Sequence, residues 1–331
     1  MSGKRTKKDI TASRTVFRPF QYEWAYDMWL KHEQVHWLHS EIDMAEDIKD
    51  FKQRLTAEEK EFLTKVLRFF VQGDIDIGGS YLDHYIPIFR QPEVRMMMSG
   101  FAARESLHVA AYAHLIESLD LPSSTYNEFL QYQEMVEKHE YLAKVKDMGV
   151  LEKIACVSAF GEGMQLFASF IMLLNFARNG KMRATGQIIS WSIQDENLHA
   201  EGMTKVFREY AKENGGISDE VKSNIYTIAK EMVDLEDKFV DLAFGMLHVE
   251  RLTKDEVKLY IRYIADRRLL GLGLKAIFKV KQNPLFWVEA ALGASHTNFF
   301  EQQVTDYAKG ALEGSWADVW GQSGHPTQSQ E

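Results

Sequence analysis

The chain has 331 residues, with 39 lysines and arginines against 48 aspartates and glutamates, so its formal net charge is −9. An acidic chain without a long basic run argues against nucleic acid as its main partner. The single cysteine, Cys156, excludes an internal disulfide and any Cys-x-x-Cys pair, which favours a reducing, cytoplasmic location.

Helical patterns run through most of the sequence and strand-like alternation is scarce, so we predict an all-α fold. We expect residues 1–20 to form a flexible N-terminal arm, residues 21–300 one helical domain, and residues 301–331 a flexible C-terminal tail. Capping-box patterns begin two of the helices, at Thr56 and at Thr253. The predicted helical segments cover residues 22–36, 56–86, 93–119, 123–144, 151–179, 181–214, 218–248 and 253–270.

One stretch, Ile154 to Ala177, is apolar and long enough to cross a bilayer. Its only charged residue is Glu162, and acids inside a membrane span are rare. A helix that is apolar all round is also what the core of a helical bundle requires. We therefore predict a buried core helix and no membrane span.

Three glycines lie within the predicted helix of residues 56–86, namely Gly73, Gly78 and Gly79. Each costs up to about 1 kcal/mol relative to alanine in a helix interior. The simplest reason to keep them is the close approach of a neighbouring helix, which we predict here.

An acidic residue followed three positions later by histidine occurs three times, ending at His36, His108 and His199. About 1.6 such matches are expected by chance in a chain of this composition, so the pattern alone identifies nothing. Glu33 and His36 lie at the end of a short predicted helix, and we interpret them as a solvated pair. The other two pairs lie inside long predicted helices, where a carboxylate and an imidazole on adjacent turns share one face.

Two single acids supply the remaining ligands of a possible metal site. Asp74 lies 31 residues before Glu105, and Glu162 lies 34 residues before Glu196. In an antiparallel hairpin of helices about 30 residues long, residues so separated lie at the same level. Both single acids have apolar neighbours in sequence, and a buried acid must be paired or bound to a metal.

This pattern predicts a ferritin-like helical bundle with additional helices and a dinuclear metal site in its core. Four carboxylates and two imidazoles suit iron or manganese. A calcium loop beginning at Asp74 fails, because Tyr85 occupies the twelfth position, where a glutamate belongs. Buried acids paired with arginines or with one another remain the structural alternative. The six candidate ligands are Asp74, Glu105, His108, Glu162, Glu196 and His199.

The runs ARESLHVAAY and WSIQDENLH, with the two single acids, resemble the small, radical-generating subunit of class I ribonucleotide reductase. The resemblance extends from about Trp37 to Tyr307. It implies two ligand sets: Asp74, Glu105 and His108 for the first metal, and Glu162, Glu196 and His199 for the second.

The resemblance also implies roles for residues that bind no metal. Tyr112 occupies the position of the family's stable tyrosyl radical. Trp37 and Asp195 would connect the metals to the partner subunit, and Tyr307 in the tail would carry the route across the interface. Ser192 departs from the bulky apolar residues that generally line the radical pocket.

We therefore expect a homodimer that uses molecular oxygen or a reduced oxygen species to oxidise Tyr112. A large subunit would then use this oxidising equivalent to make deoxyribonucleotides for DNA replication. Fe/Fe is the expected metal pair, with Mn/Mn or Mn/Fe as alternatives. Two other functions remain open. One is a ligand-binding oxidase or oxygenase acting on a small organic substrate in an apolar cavity. The other is metal storage, which the chain length disfavours, because it is about twice that of one four-helix unit.

Overall fold

A computed structural model describes residues 8–70 and 73–292, apart from the side chains of residues 69 and 70. The described part contains helices and no strands, so the all-α prediction is confirmed. The compact unit that holds the helices ends at Val288. The α-helices are α1 (Glu23–Gln34), α2 (Ala45–Lys49), α3 (Ala57–Phe70), α4 (Gly73–Ser80), α5 (Pro92–Ser118), α6 (Gln133–Ala143), α7 (Val150–Ile154), α8 (Leu166–Arg178), α9 (Arg183–Glu213), α10 (Asp219–Phe244) and α11 (Lys254–Gly271).

Two helical hairpins form the centre of the fold. Helix α4 packs against α5, and α8 packs against α9, while α5 and α9 join the hairpins by contacting each other. Helix α1 covers α5, and α10 and α11 pack against the segment between α7 and α8. This arrangement is the predicted ferritin-like bundle with additional helices.

The helix ends follow the local sequence closely. Thr56 and Glu59 exchange both hydrogen bonds of a capping box, and the box predicted at Thr253 is also present. The segment predicted at residues 123–144 differs from the prediction, because short 3₁₀ turns occupy Ser123–Tyr126 and Glu128–Gln131 before α6 begins.

The apolar stretch forms one continuous helical element from Val150 to Arg178, and its most apolar window is 100% buried. Between α7 and α8 the backbone is a π-helix over Ala155–Gln165. Such segments occur frequently at functional sites, because they change the direction in which side chains point. This one contains Glu162.

Two of the three glycines in α4 lie where another side chain comes close. A Cβ atom on Gly78 would lie 3.2 Å from Cβ of Glu105, and one on Gly73 would lie 3.0 Å from Cδ2 of Leu166. A Cβ atom on Gly79 would have no neighbour within 4 Å. Close packing therefore explains Gly73 and Gly78 and leaves Gly79 without a packing reason.

Helix α2 and the helical turn after it hold the beginning of α9. Asp47 accepts hydrogen bonds from the backbone N–H groups of Ala184 and Thr185, and Asp50 accepts one from Met182. These carboxylates satisfy N–H groups that the first turn of a helix leaves unpaired, and their charge suits the helix N-terminus. The long helix α9 is thereby fixed in position.

Candidate metal centre

The six predicted ligands come together at the centre of the bundle. They lie on four elements: Asp74 on α4, Glu105 and His108 on α5, Glu162 on the π-helix, and Glu196 and His199 on α9. Each has a relative exposure of 1% or less. The six side chains that were selected by spacing therefore lie at one level of the bundle.

Two groups of side chains each bring their ligand atoms within 4.8 Å of one another. The first comprises Asp74, Glu105, His108 and Glu196, and the second comprises Glu105, Glu162, Glu196 and His199. Glu105 and Glu196 belong to both groups. The family resemblance implied two separate sets of three ligands, whereas in the structure two carboxylates belong to both groups.

Each histidine presents its Nδ1 atom to the carboxylates. Nδ1 of His108 lies 3.1 Å from Oε1 of Glu196, and Nδ1 of His199 lies 2.8 Å from Oε1 of Glu105. The Nε2 atoms point outward, that of His108 to Asp195 and that of His199 to Nε2 of His32, 3.2 Å away. A second partner on the outer nitrogen fixes the orientation of a metal-binding imidazole.

The side chains present fit a pair of metal ions. Both carboxylate oxygens of Asp74, Glu105 and Glu196 are buried and have no partner with hydrogen-bond geometry. The contacts of Nδ1 with these carboxylates are short, yet their directions are not those of hydrogen bonds. Buried, unpaired carboxylates are costly unless a cation neutralises them. Two divalent ions, each with one imidazole, would satisfy these oxygens, and the centre is a dinuclear metal site.

The pKa values show how strongly these groups interact. Burial raises the pKa of Asp74 well above its ordinary value, and the Glu105 charge raises it further. Burial also raises the pKa of Glu162 to about 7, although the His199 imidazole, with Nδ1 3.6 Å from Oε1, opposes this shift. Burial disfavours a charge on His199, but the nearby carboxylates of Glu105 and Glu162 raise its pKa well above the ordinary value. Metal binding must therefore displace protons from this cluster.

Tyr112 lies one turn beyond His108 on α5 and is fully buried. The two ring centroids are 6.1 Å apart. Burial raises the pKa of Tyr112 well above its usual range, the Asp74 charge raises it further, and a side-chain hydrogen bond with Ser192 acts in the opposite direction. Tyr112 is therefore a protonated phenol beside the ligands of the first group.

A line of hydrogen bonds joins His108 to Trp37. Oδ2 of Asp195 accepts a hydrogen bond from Nε1 of Trp37 at 2.8 Å and lies 3.1 Å from Nε2 of His108. Nη1 of Arg104 donates to Oδ1 of the same carboxylate at 2.8 Å. Burial would raise the pKa of Asp195, but the His108 hydrogen bond and the Arg104 charge lower it to about 2. Asp195 is thus an anion that connects Trp37 to a predicted metal ligand.

Sequence reasoning missed three neighbours of the site. His32 and Arg104 support His199 and Asp195, and Tyr81 donates a hydrogen bond to Oε2 of Glu162 at 3.0 Å. No local pattern marks them, because their roles depend on contacts between distant elements.

Three other sequence predictions concern the solvated Glu33–His36 pair, the single cysteine and the C-terminal tail. Glu33 and His36 are exposed, as predicted. Cys156 is buried and forms no disulfide. Tyr307 and the predicted tail lie outside the described residues.

A dinuclear site of carboxylates and histidines inside a ferritin-like bundle defines the class of di-metal carboxylate proteins. The sequence identifies the family within this class. Residues 14–284 match the family model described as "Ribonucleotide reductase, small chain", and the chain belongs to this family. The predicted resemblance is confirmed, and membership makes the chain the small subunit of an oxidoreductase that works with a large subunit.

Curated relatives agree over most of the chain. The "Probable ribonucleoside-diphosphate reductase small subunit 048L" of Invertebrate iridescent virus 3 is 46% identical, covering 93% of this chain and 88% of its own length. The corresponding "376L" protein of Invertebrate iridescent virus 6 is 42% identical, covering 94% of this chain and 98% of its own length.

Solved structures share the fold. A putative class I ribonucleotide reductase from Bacillus halodurans superposes with a TM-score of 0.75 at 25% identity, covering 82% of this chain and 100% of its own. The ribonucleotide reductase R2 subunit from Clostridium botulinum gives a TM-score of 0.80 at 21% identity, covering 88% of this chain and 96% of its own. The dimanganese(II)-NrdF of Streptococcus sanguinis gives a TM-score of 0.75 at 20% identity, covering 85% of this chain and 99% of its own.

Proposed function

We propose that this small subunit generates its oxidising equivalent at the metal pair and stores it as a radical on Tyr112. The equivalent then passes to the large subunit, which reduces ribonucleoside diphosphates to deoxyribonucleotides. The observation that carries the proposal is the place of Tyr112, fully buried and one turn beyond His108.

Oxidation of Tyr112 removes one electron and one proton. Among the charged groups around the phenol, Asp74 raises its pKa most, and we propose this carboxylate as the acceptor of the proton. Complete burial keeps water and external reductants from the resulting neutral phenoxyl group. Ser192 adds a polar contact, so the pocket is less apolar than is general for the family.

Two bound metal ions would supply the oxidising chemistry through molecular oxygen or a reduced oxygen species. The six side chains, Asp74, Glu105, His108, Glu162, Glu196 and His199, would hold them. The set of four carboxylates and two imidazoles suits iron or manganese. We propose Fe/Fe, with Mn/Mn and Mn/Fe as alternatives, and manganese is present in the Streptococcus sanguinis protein of the same fold. We further propose a cytoplasmic homodimer.

The exit route in this proposal begins at His108. The hydrogen bonds through Asp195 to Trp37 give electrons and protons a continuous path of 3.1 Å and 2.8 Å steps. Tyr307, beyond the described residues, is proposed to continue the route at the interface with the large subunit.

Electron paramagnetic resonance of metal-loaded protein exposed to oxygen tests the proposal. A tyrosyl signal is expected in wild type and in the control Tyr85→Phe, because buried Tyr85 hydrogen-bonds to Lys153 and Ser158 and to none of the six ligands. The signal must vanish in Tyr112→Phe. A signal from the metals alone, unchanged in Tyr112→Phe, would reject storage on Tyr112 and favour storage on the metals.

One observation supports a second candidate, an oxidase acting on a small organic molecule. A small, mainly apolar cleft of about 40 Å³ is lined by Gly73 and Gly161, which directly precede Asp74 and Glu162 in the sequence. An organic molecule that copurifies in this cleft, together with no deoxynucleotide product when large subunit is added, would favour the oxidase.

A further inference from the structure

Trp37 has a second aromatic partner that the proposed exit route does not use. The indole of Trp191 lies with its ring centroid 5.3 Å from that of Trp37, at an interplanar angle of 44°. This separation is shorter than the 5.9 Å between Trp37 and the His108 ring. Trp37 and Trp191 have exposures of 1% and 4%, so the contact is inside the protein.

Helix α9 holds Trp37 at two points. Trp191 and Asp195 are four residues apart on this helix and therefore share one face. Asp195 accepts the indole N–H of Trp37, and Trp191 packs against its ring system. The capping of α9 by Asp47 fixes the helix that carries both contacts.

We propose that Trp191 is a redox-active partner of Trp37 and shares the oxidising equivalent with it. This inference rests on the proposed function, because the equivalent comes from the reaction of the metal site with oxygen. Indole and phenol are the side chains most easily oxidised by one electron, and electron exchange between aromatic rings weakens steeply with distance. Rings in contact inside a protein therefore exchange electrons readily.

The step is a single electron transfer. Once the Trp37 indole has lost one electron, it takes one from the Trp191 indole, so Trp37 is reduced and Trp191 is oxidised. No covalent bond forms or breaks. The N–H proton of Trp37 remains in its hydrogen bond with Asp195, so the reverse transfer restores the starting state.

The Asp195 anion favours positive charge on the Trp37 indole, whose N–H it accepts. The Trp191 indole, on α9 one turn before Asp195, gives that charge a second location. Sharing lowers the free energy of the oxidised pair relative to a single indole, so an oxidised pair should persist longer than an oxidised Trp37 alone.

Rapid-freeze electron paramagnetic resonance in a Tyr112→Phe background tests this inference. In this background the phenol cannot take the equivalent, so an indole radical is expected, identified by the narrowing of its signal when the tryptophans are ring-deuterated. Adding Trp191→Phe should shorten the radical lifetime several-fold and change its hyperfine pattern, while Trp191→Tyr should restore part of the lifetime. The matched control is Trp29→Phe, because the Trp29 ring packs on Tyr26 at 5.6 Å and belongs to another cluster.

The outcomes separate the inference from the proposed function. The proposed function is decided by the tyrosyl signal of the protein that retains Tyr112. The inference is overturned if the Tyr112→Phe protein shows no indole signal, or if Trp191→Phe leaves its shape and decay equal to those of the Trp29→Phe control.

A measurement without metal checks the ring contact in the folded protein. Near-ultraviolet circular dichroism should show a coupled tryptophan band that Trp37→Phe and Trp191→Phe each remove. Unchanged far-ultraviolet spectra would show that both variants remain folded. A near-ultraviolet band that persists in Trp191→Phe would contradict the ring contact, and with it the inference.

Discussion

Nδ1 of His199 lies 2.8 Å from Oε1 of Glu105, a contact that joins the two helical hairpins of the bundle. The resemblance assigned these residues to different metals. The contact instead places the Glu105 carboxylate in both groups of ligand atoms, where it can bridge two ions.

Metal stoichiometry should distinguish this bridging carboxylate from a terminal one. Glu105→Ala removes an acid shared by both groups and should reduce the binding of both ions. Asp74→Ala affects the first group only and should leave the second ion bound. Elemental analysis after equilibration with Fe(II) or Mn(II) measures the difference. Two ions per chain in Glu105→Ala would contradict the bridging position.

Asp195 and Arg104 should be coupled in stability. Asp195→Asn leaves the buried Arg104 guanidinium without its anion, and breaking a buried pair in this way typically costs about 3–5 kcal/mol. Arg104→Met combined with Asp195→Asn should recover part of that loss, because no uncompensated charge remains. Denaturant unfolding of the two single variants and the double variant gives the coupling energy. Additive losses would show that the two charges do not interact.

Neighbouring glycines of α4 should respond differently to alanine. Gly79→Ala adds a methyl group in open space and should stabilise the protein by about 0.5–1 kcal/mol. Gly78→Ala places a Cβ 3.2 Å from Glu105 and should lower metal affinity by displacing that side chain. Thermal unfolding and metal titration of the two variants test this pair. Equal behaviour of both would refute the packing role of Gly78.

Glu236 provides a prediction for the dependence of stability on pH. It is fully buried against Lys138, with Oε2 accepting from Nζ at 2.7 Å. Burial raises its pKa from 4.5 to about 7, although Lys138 opposes this shift. Between pH 4.5 and about 7, Glu236 keeps its proton in the folded state but has lost it in the unfolded state. The free energy of unfolding therefore decreases as pH rises through this range.

Glu236→Gln removes that titration. Its melting temperature relative to wild type should therefore increase as pH rises from about 4.5 to about 7, with a change of up to about 3 kcal/mol in relative stability. Calorimetry across this range measures the effect. Glu137→Gln is the control, because its carboxylate is 36% exposed and pairs with Lys238 at the surface. A pH-independent difference for Glu236→Gln would contradict the raised pKa.

The sequence predicted the parts of the site that depend on helical periodicity. The spacing of residues along two hairpins predicted that Asp74 and Glu162 lie at the level of the two Glu-x-x-His pairs. Helix length determines which residues of a hairpin face each other. The membership of Glu105 in both ligand groups was beyond such reasoning, since it depends on how closely α5 and α9 approach. His32 and Arg104 were missed for the same reason, as each acts through an element distant in sequence. The π-helix around Glu162 also has no simple sequence signal.

The element from Val150 to Arg178, whose most apolar window is fully buried, has a consequence for synthesis of the chain. It leaves the ribosome before α9, α10 and α11, which later cover it. Until those helices follow, its apolar surface is exposed to water and to other nascent chains, a condition that promotes aggregation and binding by chaperones. The burial that keeps the finished metal centre dry therefore makes the half-made protein prone to aggregation.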